Sequence, residues 1–148
     1  MITVYKMRYG HPLWDKTADF AEKCSWRAGG VLAEKMRQNE FTGNERVFAA
    51  REEDRIVGFC TLSMKDELPD DSPYSPFVGF VFVDEKARGR RISGMMIEKA
   101  AAWAKYKEYD TLYIMSGEKG LYEKYGFEKI GDFTTIYGTV DQLFSKAL

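Results

Sequence analysis

The feature that most constrains the fold is the continuous apolar run from Val78 to Val83, VGFVFV. A strand with apolar side chains in unbroken succession is typical of the centre of a sheet that is covered on both faces. A glycine-containing loop follows at residues 88–94, RGRRISG, and apolar residues then recur at 95, 96, 97, 100, 101, 103 and 104. That spacing predicts an amphipathic helix packed on the sheet.

The other segments predict one domain that mixes strands and helices. Strands are expected at 2–6, 46–51, 55–64, 111–115, 127–130 and 133–137. Helices are expected at 16–27, 31–39 and 118–125, with a terminal turn or helix at 140–147. Two of the strands flank the tight acidic turn at 52–54, which is typical of a hairpin. An antiparallel first half followed by a βαβ unit predicts a mixed α/β sheet in a single domain, residues 1–148.

Composition excludes several classes of protein. The net charge of −1 argues against a general nucleic-acid binder, which normally carries a basic excess. No apolar run approaches the roughly 20 residues that cross a bilayer, and the N-terminus lacks the apolar core of a signal peptide. The two cysteines, Cys24 and Cys60, form no CxxC pair, so we expect free thiols in a reducing compartment. The sequence therefore predicts a cytoplasmic protein with no membrane or nucleic-acid partner.

The loop at 88–94 is the first candidate binding element. A helix that begins after such a loop offers unpaired N–H groups to phosphate oxygens, and Arg88, Arg90 and Arg91 add positive charge. The same residues are compatible with a solvated basic turn. No GxxxxGK[ST] or GxGxxG pattern occurs, so neither a P-loop nor a dinucleotide-binding domain is expected. His11 is the only histidine, and no metal site is expected.

A second motif, GLYEKYGF at residues 120–127, favours the anion-binding loop over the solvated basic turn. Together with the strand, loop and helix before it, this motif resembles the GNAT superfamily of acyl-CoA-dependent N-acetyltransferases, over roughly residues 46–131. The family's loop pattern is [QR]-x-x-G-x-[GA]. Arg88 matches its first position, whereas Arg91 stands at the first glycine and Ser93 at the second small residue. The resemblance implies a GNAT-like fold: a central, mostly antiparallel sheet of about six to seven strands with helices on both faces.

The resemblance also implies acetyl-CoA as co-substrate, with specific residues for each of its parts. The pyrophosphate would rest on the backbone N–H groups of Arg88, Gly89, Arg90, Arg91, Ile92, Ser93 and Gly94. The pantetheine arm would lie along Val81, Phe82 and Val83, as an added strand does. Tyr122 matches the tyrosine that protonates the departing thiolate in many family members, a reaction that suits a phenol. Tyr125 is expected to pack beside Phe127.

The acceptor in this family enters opposite the cofactor, and its contacts are less well defined by sequence. Expected lining residues are Trp26, Arg27, Tyr74 and Phe77. The acidic loop at 65–76 favours a cationic or polyamine-like acceptor, whereas Arg27 in the cleft would favour a carboxylate-bearing one, and both alternatives stay open. Candidates for a general base are Glu67, Asp70, Asp71 and Glu118.

Two functions fit these features. The first is an N-acetyltransferase that moves an acetyl group to the primary amine of a small-molecule acceptor, by direct attack in a ternary complex. The second is a catalytically silent module of the same fold that binds acyl-CoA for regulation or interaction. An exposed C-terminal strand would also offer an edge for a homodimer.

Overall fold

The computed structural model describes residues 1–148 and contains one seven-stranded sheet in the order β1-β2-β3-β4-β5-β7-β6. The strands are β1 (Ile2–Met7), β2 (Arg46–Glu52), β3 (Arg55–Ser63), β4 (Phe77–Val83), β5 (Thr111–Ser116), β6 (Glu128–Thr134) and β7 (Val140–Ala147). Only β4 and β5 pair in parallel. The predicted mixed, mostly antiparallel sheet is confirmed.

Three helices cover the two faces of the sheet, as predicted: α1 (Trp14–Lys23), α2 (Ala28–Arg37) and α3 (Ile92–Tyr106). Strand β2 shows how the faces divide, because its side chains alternate. Phe48 and Ala50 belong to the core under α3, whereas Val47 and Ala49 belong to the core under α1 and α2. This alternation places two separate hydrophobic cores on either side of one sheet.

The centre of the sheet is interrupted where β4 leaves β5. The two strands pair only at Phe77–Tyr113 and Val78–Ile114. On its other side β4 carries one extra residue, because Phe59 and Thr61 of β3 face Phe82 and Gly79. This bulge sharpens the local twist of the strand. From Gly79 onward the edge of β4 that faces β5 is therefore open.

The C-terminal segment differs from the sequence-based expectation. The predicted turn or helix at 140–147 is wrong, because these residues form β7, hydrogen-bonded between β5 and β6. Its consecutive residues Leu143 and Phe144 are both buried, in clusters on opposite faces of the sheet. Strand β7 is paired on both sides, and the edges of the sheet are β1 and β6. The last strand expected from sequence, at 133–137, overlaps the edge strand β6, so a homodimer through this edge stays a prediction.

Other boundaries shift as well, and the second helix, expected at 31–39, is Ala28–Arg37. Helix α1 ends at Lys23, so Trp26 and Arg27 lie in the turn before α2. The helix expected at 118–125 is a single short 3-10 turn, Tyr122–Tyr125. The two strands expected at 127–130 and 133–137 are one strand, β6. None of the helices has both the length and the apolar character needed to cross a membrane.

The start of α2 offers a test of the packing of α1 against α2. Gly29 is buried, and a Cβ there would lie 2.3 Å from the carbonyl oxygen of Ala21. We expect Gly29→Ala to lower the free energy of unfolding by about 1–3 kcal/mol, because the backbone of α1 must move. Gly30→Ala is the matched control: nothing lies within 4 Å of its Cβ position, so stability should be unchanged or rise by up to about 1 kcal/mol. Urea denaturation measures both; equal losses would contradict the packing described.

Candidate active site

A large cleft opens where β4 and β5 separate. Its volume is about 1350 Å³, which exceeds the roughly 300–1,000 Å³ of ordinary small-molecule pockets. The start of α3 and the 3-10 turn at Tyr122 line one part of it, and the segment after β3 and the start of β7 line another. The cleft therefore has room for more than one small ligand along the open edge of β4.

The loop before α3 presents backbone N–H groups to the cleft. Gly89 has φ of 82° and Arg91 has φ of 60°, both in the left-handed region. Arg91 is the N-cap of α3, and the first helical hydrogen bond runs from the N–H of Met95 to its carbonyl. No side chain caps this end, so the N–H groups at 92, 93 and 94 have no partner. Such a helix start binds anions well.

The three arginines of the loop have different roles. The Arg88 Nε donates a hydrogen bond of 2.9 Å to the carbonyl of Val83, and its guanidinium lies over the Phe82 ring. Arg90 lies outside the cleft in a two-point ion pair with Glu52, in which Nη1 is 3.0 Å from Oε1. The Arg91 side chain lies over the ring of Tyr125 at the cleft wall. Of the three, Arg88 and Arg91 line the cleft and contribute positive charge there.

Tyr122 is buried at the wall of the cleft. Its ring packs against Phe127 and Phe144, with centroids 6.3 and 5.8 Å away. Burial raises the pKa of Tyr122 to about 12, although a hydrogen bond with Ser116 opposes this rise. The phenol therefore stays protonated at neutral pH and is available as a proton donor.

Tyr125 instead supports the start of α3. Its hydroxyl lies 2.8 Å from Oγ of Ser93, and its ring fills the space beside Gly94, where a Cβ would come within 2.6 Å. The ring pair with Phe127 that was expected for Tyr125 is made by Tyr122. The two tyrosines of the motif thus differ: one faces the cleft from the core, and the other positions the loop.

Of the four residues expected to contact the acceptor, only Trp26 lines the cleft. Trp26 lines the cleft, 36% exposed, with its ring nearly parallel to that of Phe82 at 6.0 Å. Arg27 is exposed at the start of α2 and lies outside the cleft. Tyr74 packs against Tyr113 and Phe133, while Phe77 is 1% exposed in the same cluster. Aromatic partners on the sheet therefore hold Tyr74 and Phe77 away from the cleft.

Among the acidic residues, the structure singles out one that sequence reasoning missed, Asp66. Its Oδ2 lies 3.0 Å from the position of a Cβ on Gly79, and Oγ1 of Thr61 lies 3.4 Å from the same point. Burial raises the pKa of Asp66 to about 6, and the charges of Glu67 and Asp141 add to the rise. No sequence pattern distinguishes Asp66 from its acidic neighbours, because only the fold of the loop buries it.

The four base candidates named from sequence divide into two pairs. Glu67 and Glu118 line the cleft. Asp70 and Asp71 are exposed outside it, and Asp70 pairs with Lys65 at 3.1 Å. Nowhere do three or more histidine, cysteine or acidic side chains group closely enough to hold a metal ion.

The left-handed backbone at Arg91 leads to a stability prediction. A side chain in this region costs roughly 1–2 kcal/mol, whereas glycine avoids that cost but gains entropy in the unfolded chain. For Arg91→Gly we therefore expect the free energy of unfolding to change by less than about 1 kcal/mol. Arg91→Val, with a β-branched side chain at the same φ, should destabilise the protein measurably. Denaturant titration measures the free energy of unfolding of both variants. Equal values would contradict the left-handed backbone conformation at residue 91.

The raised pKa of Asp66 predicts a pH-dependent effect on stability. Because the folded-state pKa, about 6, lies above the ordinary 3.8, the charged form opposes folding above pH 6, and this cost disappears below about pH 4. Asp66→Asn should therefore be more stable than the wild type at pH 8, with the gain shrinking towards pH 4. Thermal unfolding across this range measures it. Asp70→Asn, in the exposed part of the same loop, is the control and should show no comparable gain.

Comparisons with known proteins agree with this architecture. Residues 43–129 match the family model described as an acetyltransferase (GNAT) domain. No curated protein matches the sequence. Among solved structures, the chain is similar to an aminoglycoside 6'-acetyltransferase type Ii, with a TM-score of 0.75 and 17% identity over 98% of this chain and 96% of the other.

Two further structures were solved with ligands. A GNAT family acetyltransferase from Elizabethkingia anophelis with acetyl-CoA bound has a TM-score of 0.67 and 20% identity, over 99% of this chain and 98% of the other. An aminoglycoside 6'-N-acetyltransferase complexed with coenzyme A has a TM-score of 0.72 and 15% identity, over 98% and 96%. Since the family model covers more than half of the sequence, this chain belongs to the GNAT family of acetyltransferases.

Proposed function

We propose that the protein transfers the acetyl group of acetyl-CoA to a primary amine of a small-molecule acceptor, by direct attack in a ternary complex. The observation that carries the proposal is one cleft that holds both an uncapped helix start and a buried, protonated tyrosine at the open edge of a central strand. The structures solved with acetyl-CoA and coenzyme A support the choice of co-substrate.

The residues around the start of α3 fit a pyrophosphate. The three unpaired N–H groups at 92, 93 and 94 can donate to its oxygens, while Arg88, Arg91 and Lys124 line the same part of the cleft with positive charge. The side chain of Arg90 is committed to Glu52, so it would contribute only its N–H group. In this role the backbone provides the geometry and the remaining cations strengthen it.

Strand β4 fits the pantetheine arm. Val81, Phe82 and Val83 line the cleft along the edge that β5 leaves open. An extended amide chain laid there can hydrogen-bond to the backbone groups that β5 leaves unpaired, as an added strand does. A backbone N–H of the same edge would donate to the thioester oxygen, and this bond strengthens as negative charge develops during attack.

The chemistry then needs two proton movements. The acceptor ammonium loses one proton, and its nitrogen attacks the thioester carbon; the carbon–sulfur bond breaks as the carbonyl re-forms. The departing thiolate takes the phenolic proton of Tyr122, and the second proton lost by the nitrogen restores the phenol through solvent. Because Tyr122 is kept neutral by burial, it can serve as this donor at neutral pH.

The two tyrosines allow a matched test of the reaction. With an amine that is turned over, Tyr122→Phe should lower kcat for thiol release from acetyl-CoA at least about tenfold. Tyr125→Phe loses the hydroxyl bond to Ser93, so we expect a higher KM for acetyl-CoA with a smaller effect on kcat. Equal kcat values for wild type and Tyr122→Phe would overturn the assigned role of Tyr122.

The co-substrate is tested separately from turnover. Saturating acetyl-CoA should raise the Tm of the wild type, since a ligand that binds only the folded state stabilises it. Absence of any shift would refute the proposed co-substrate. A shift without thiol release across a broad amine panel would instead favour a silent acyl-CoA-binding module.

For location, the two cysteines support the cytoplasm. Cys60 is buried and Cys24 is half-buried, and both are free thiols. Free cysteines suit a reducing compartment, and acetyl transfer requires a supply of acetyl-CoA.

A further inference from the structure

We propose that the acceptor end of the cleft is a site for an amine that carries a second positive charge: Asp66 and Thr61 bind the reacting nitrogen, and Asp141 binds the second ammonium group. This inference rests on the proposed acetyl transfer and names the class of acceptor. It is carried by an unpartnered buried hydroxyl, by the glycine beside it and by carboxylates that have no cation.

The first observation is the hydroxyl of Thr61. Thr61 is 1% exposed, and its Oγ1 is the one buried side-chain oxygen or nitrogen in the protein without a hydrogen-bond partner. Leaving such a group unpaired costs free energy, so a native protein normally supplies a partner. Thr61 lines the cleft, so a ligand bound there can supply the missing partner.

The second observation is the niche around Thr61. Thr61 is opposite Gly79 in the β3–β4 register, and Oδ2 of Asp66 and Oγ1 of Thr61 both lie within 3.4 Å of the position of a Cβ on Gly79. The two oxygens do not bond to each other, although both lie beside Gly79 on the same side of β4. One amine nitrogen placed between them can therefore donate to both, and glycine on β4 leaves the approach clear.

The niche is well placed relative to the rest of the cleft. Gly79 is the first residue of β4 beyond its last pair with β5, at Val78. It lies two residues before Val81, within the β4 bulge. An amine in the niche would therefore sit just beyond the segment of β4 proposed to hold the pantetheine arm. Asp66 can take the proton that the amine must lose before it attacks.

The third observation is the charge at this end. Asp66, Glu67, Glu118 and Asp141 all line the cleft, and none has a salt-bridge partner. Lys35 and Lys65 also line the cleft, but they pair with Glu40 and Asp70. Asp141 lies close enough to Asp66 for its charge to act on that carboxyl, and its Oδ1 is 3.4 Å from the Cβ position of Gly117. Unpaired carboxylates around one space favour a ligand with more than one positive charge.

The same geometry argues against an acceptor with a carboxylate. Arg27, the residue that would have bound one, lies outside the cleft. A carboxylate in the position of the second ammonium group would face Asp141 and Glu118 and be repelled. Trp26 and Phe80 also line the cleft, and aromatic rings there suit an organic cation better than an anion.

Three acceptors of equal chain length test the inference: diaminobutane, butylamine and gamma-aminobutyrate, each assayed by thiol release from acetyl-CoA. We expect kcat/KM to be highest for the diamine and lowest for the amino acid. Asp141→Asn should lower kcat/KM for the diamine about tenfold or more, and much less for butylamine. Asp66→Asn should lower kcat for both amines, and Thr61→Val should lower kcat/KM for both. Asp70→Asn, exposed outside the cleft, is the matched control and should match the wild type.

A binding measurement separates this inference from the proposed reaction. In the presence of CoA, diaminobutane should raise the Tm of the wild type more than butylamine does, and Asp141→Asn should remove the difference. This result would support the site even if no acceptor were turned over, which would count against the reaction alone. Equal effects of the two amines on both Tm and kcat/KM, or a preference unchanged in Asp141→Asn, would overturn the inference.

Discussion

The separation of β4 from β5 is the constraint on which the rest of the site depends. Two parallel pairs hold the strands together at Phe77 and Val78, and the β4 bulge then turns the strand away. A central strand with a free edge would normally be costly, because its backbone groups lose their partners. Here the cleft makes that edge accessible to a ligand. Everything proposed for the two substrates is arranged along this opening.

The two ends of the cleft differ in how their charge is produced. At the start of α3, the partial positive charge comes from unpaired N–H groups and is reinforced by Arg88 and Arg91. At the other end, the negative charge comes from carboxylates left without cations. A ligand that is anionic at one end and an acceptor that is cationic at the other would each meet complementary charge. The open strand between them is where the reacting groups would meet.

The sequence predicted the elements around the opening well but not the position of each side chain. The apolar run of β4 and the helical spacing after Ile92 are properties of the local sequence, so the strand and the helix could be predicted from them. The loop between them was recognised by its place in that order, even though Arg91 stands where a glycine was expected. Its left-handed φ of 60° gives that expectation a physical reason. Burial of Tyr122 and the outward ion pair of Arg90 required the fold.

By itself, the sequence determined the mixed sheet, the helices on its two faces, and the family. Apolar periodicity depends on the local conformation of each segment, and the short motifs at 88–94 and 120–127 identify the family. Tertiary structure alone decided that 140–147 is an internal strand, since Leu143 and Phe144 are buried by contacts distant in the chain. It also decided which acidic residue is half-buried beside Gly79, and that Tyr74, Phe77 and Arg27 lie away from the cleft. These outcomes depend on how segments distant in the chain pack against each other, and the spacing of residues along the sequence does not specify that packing.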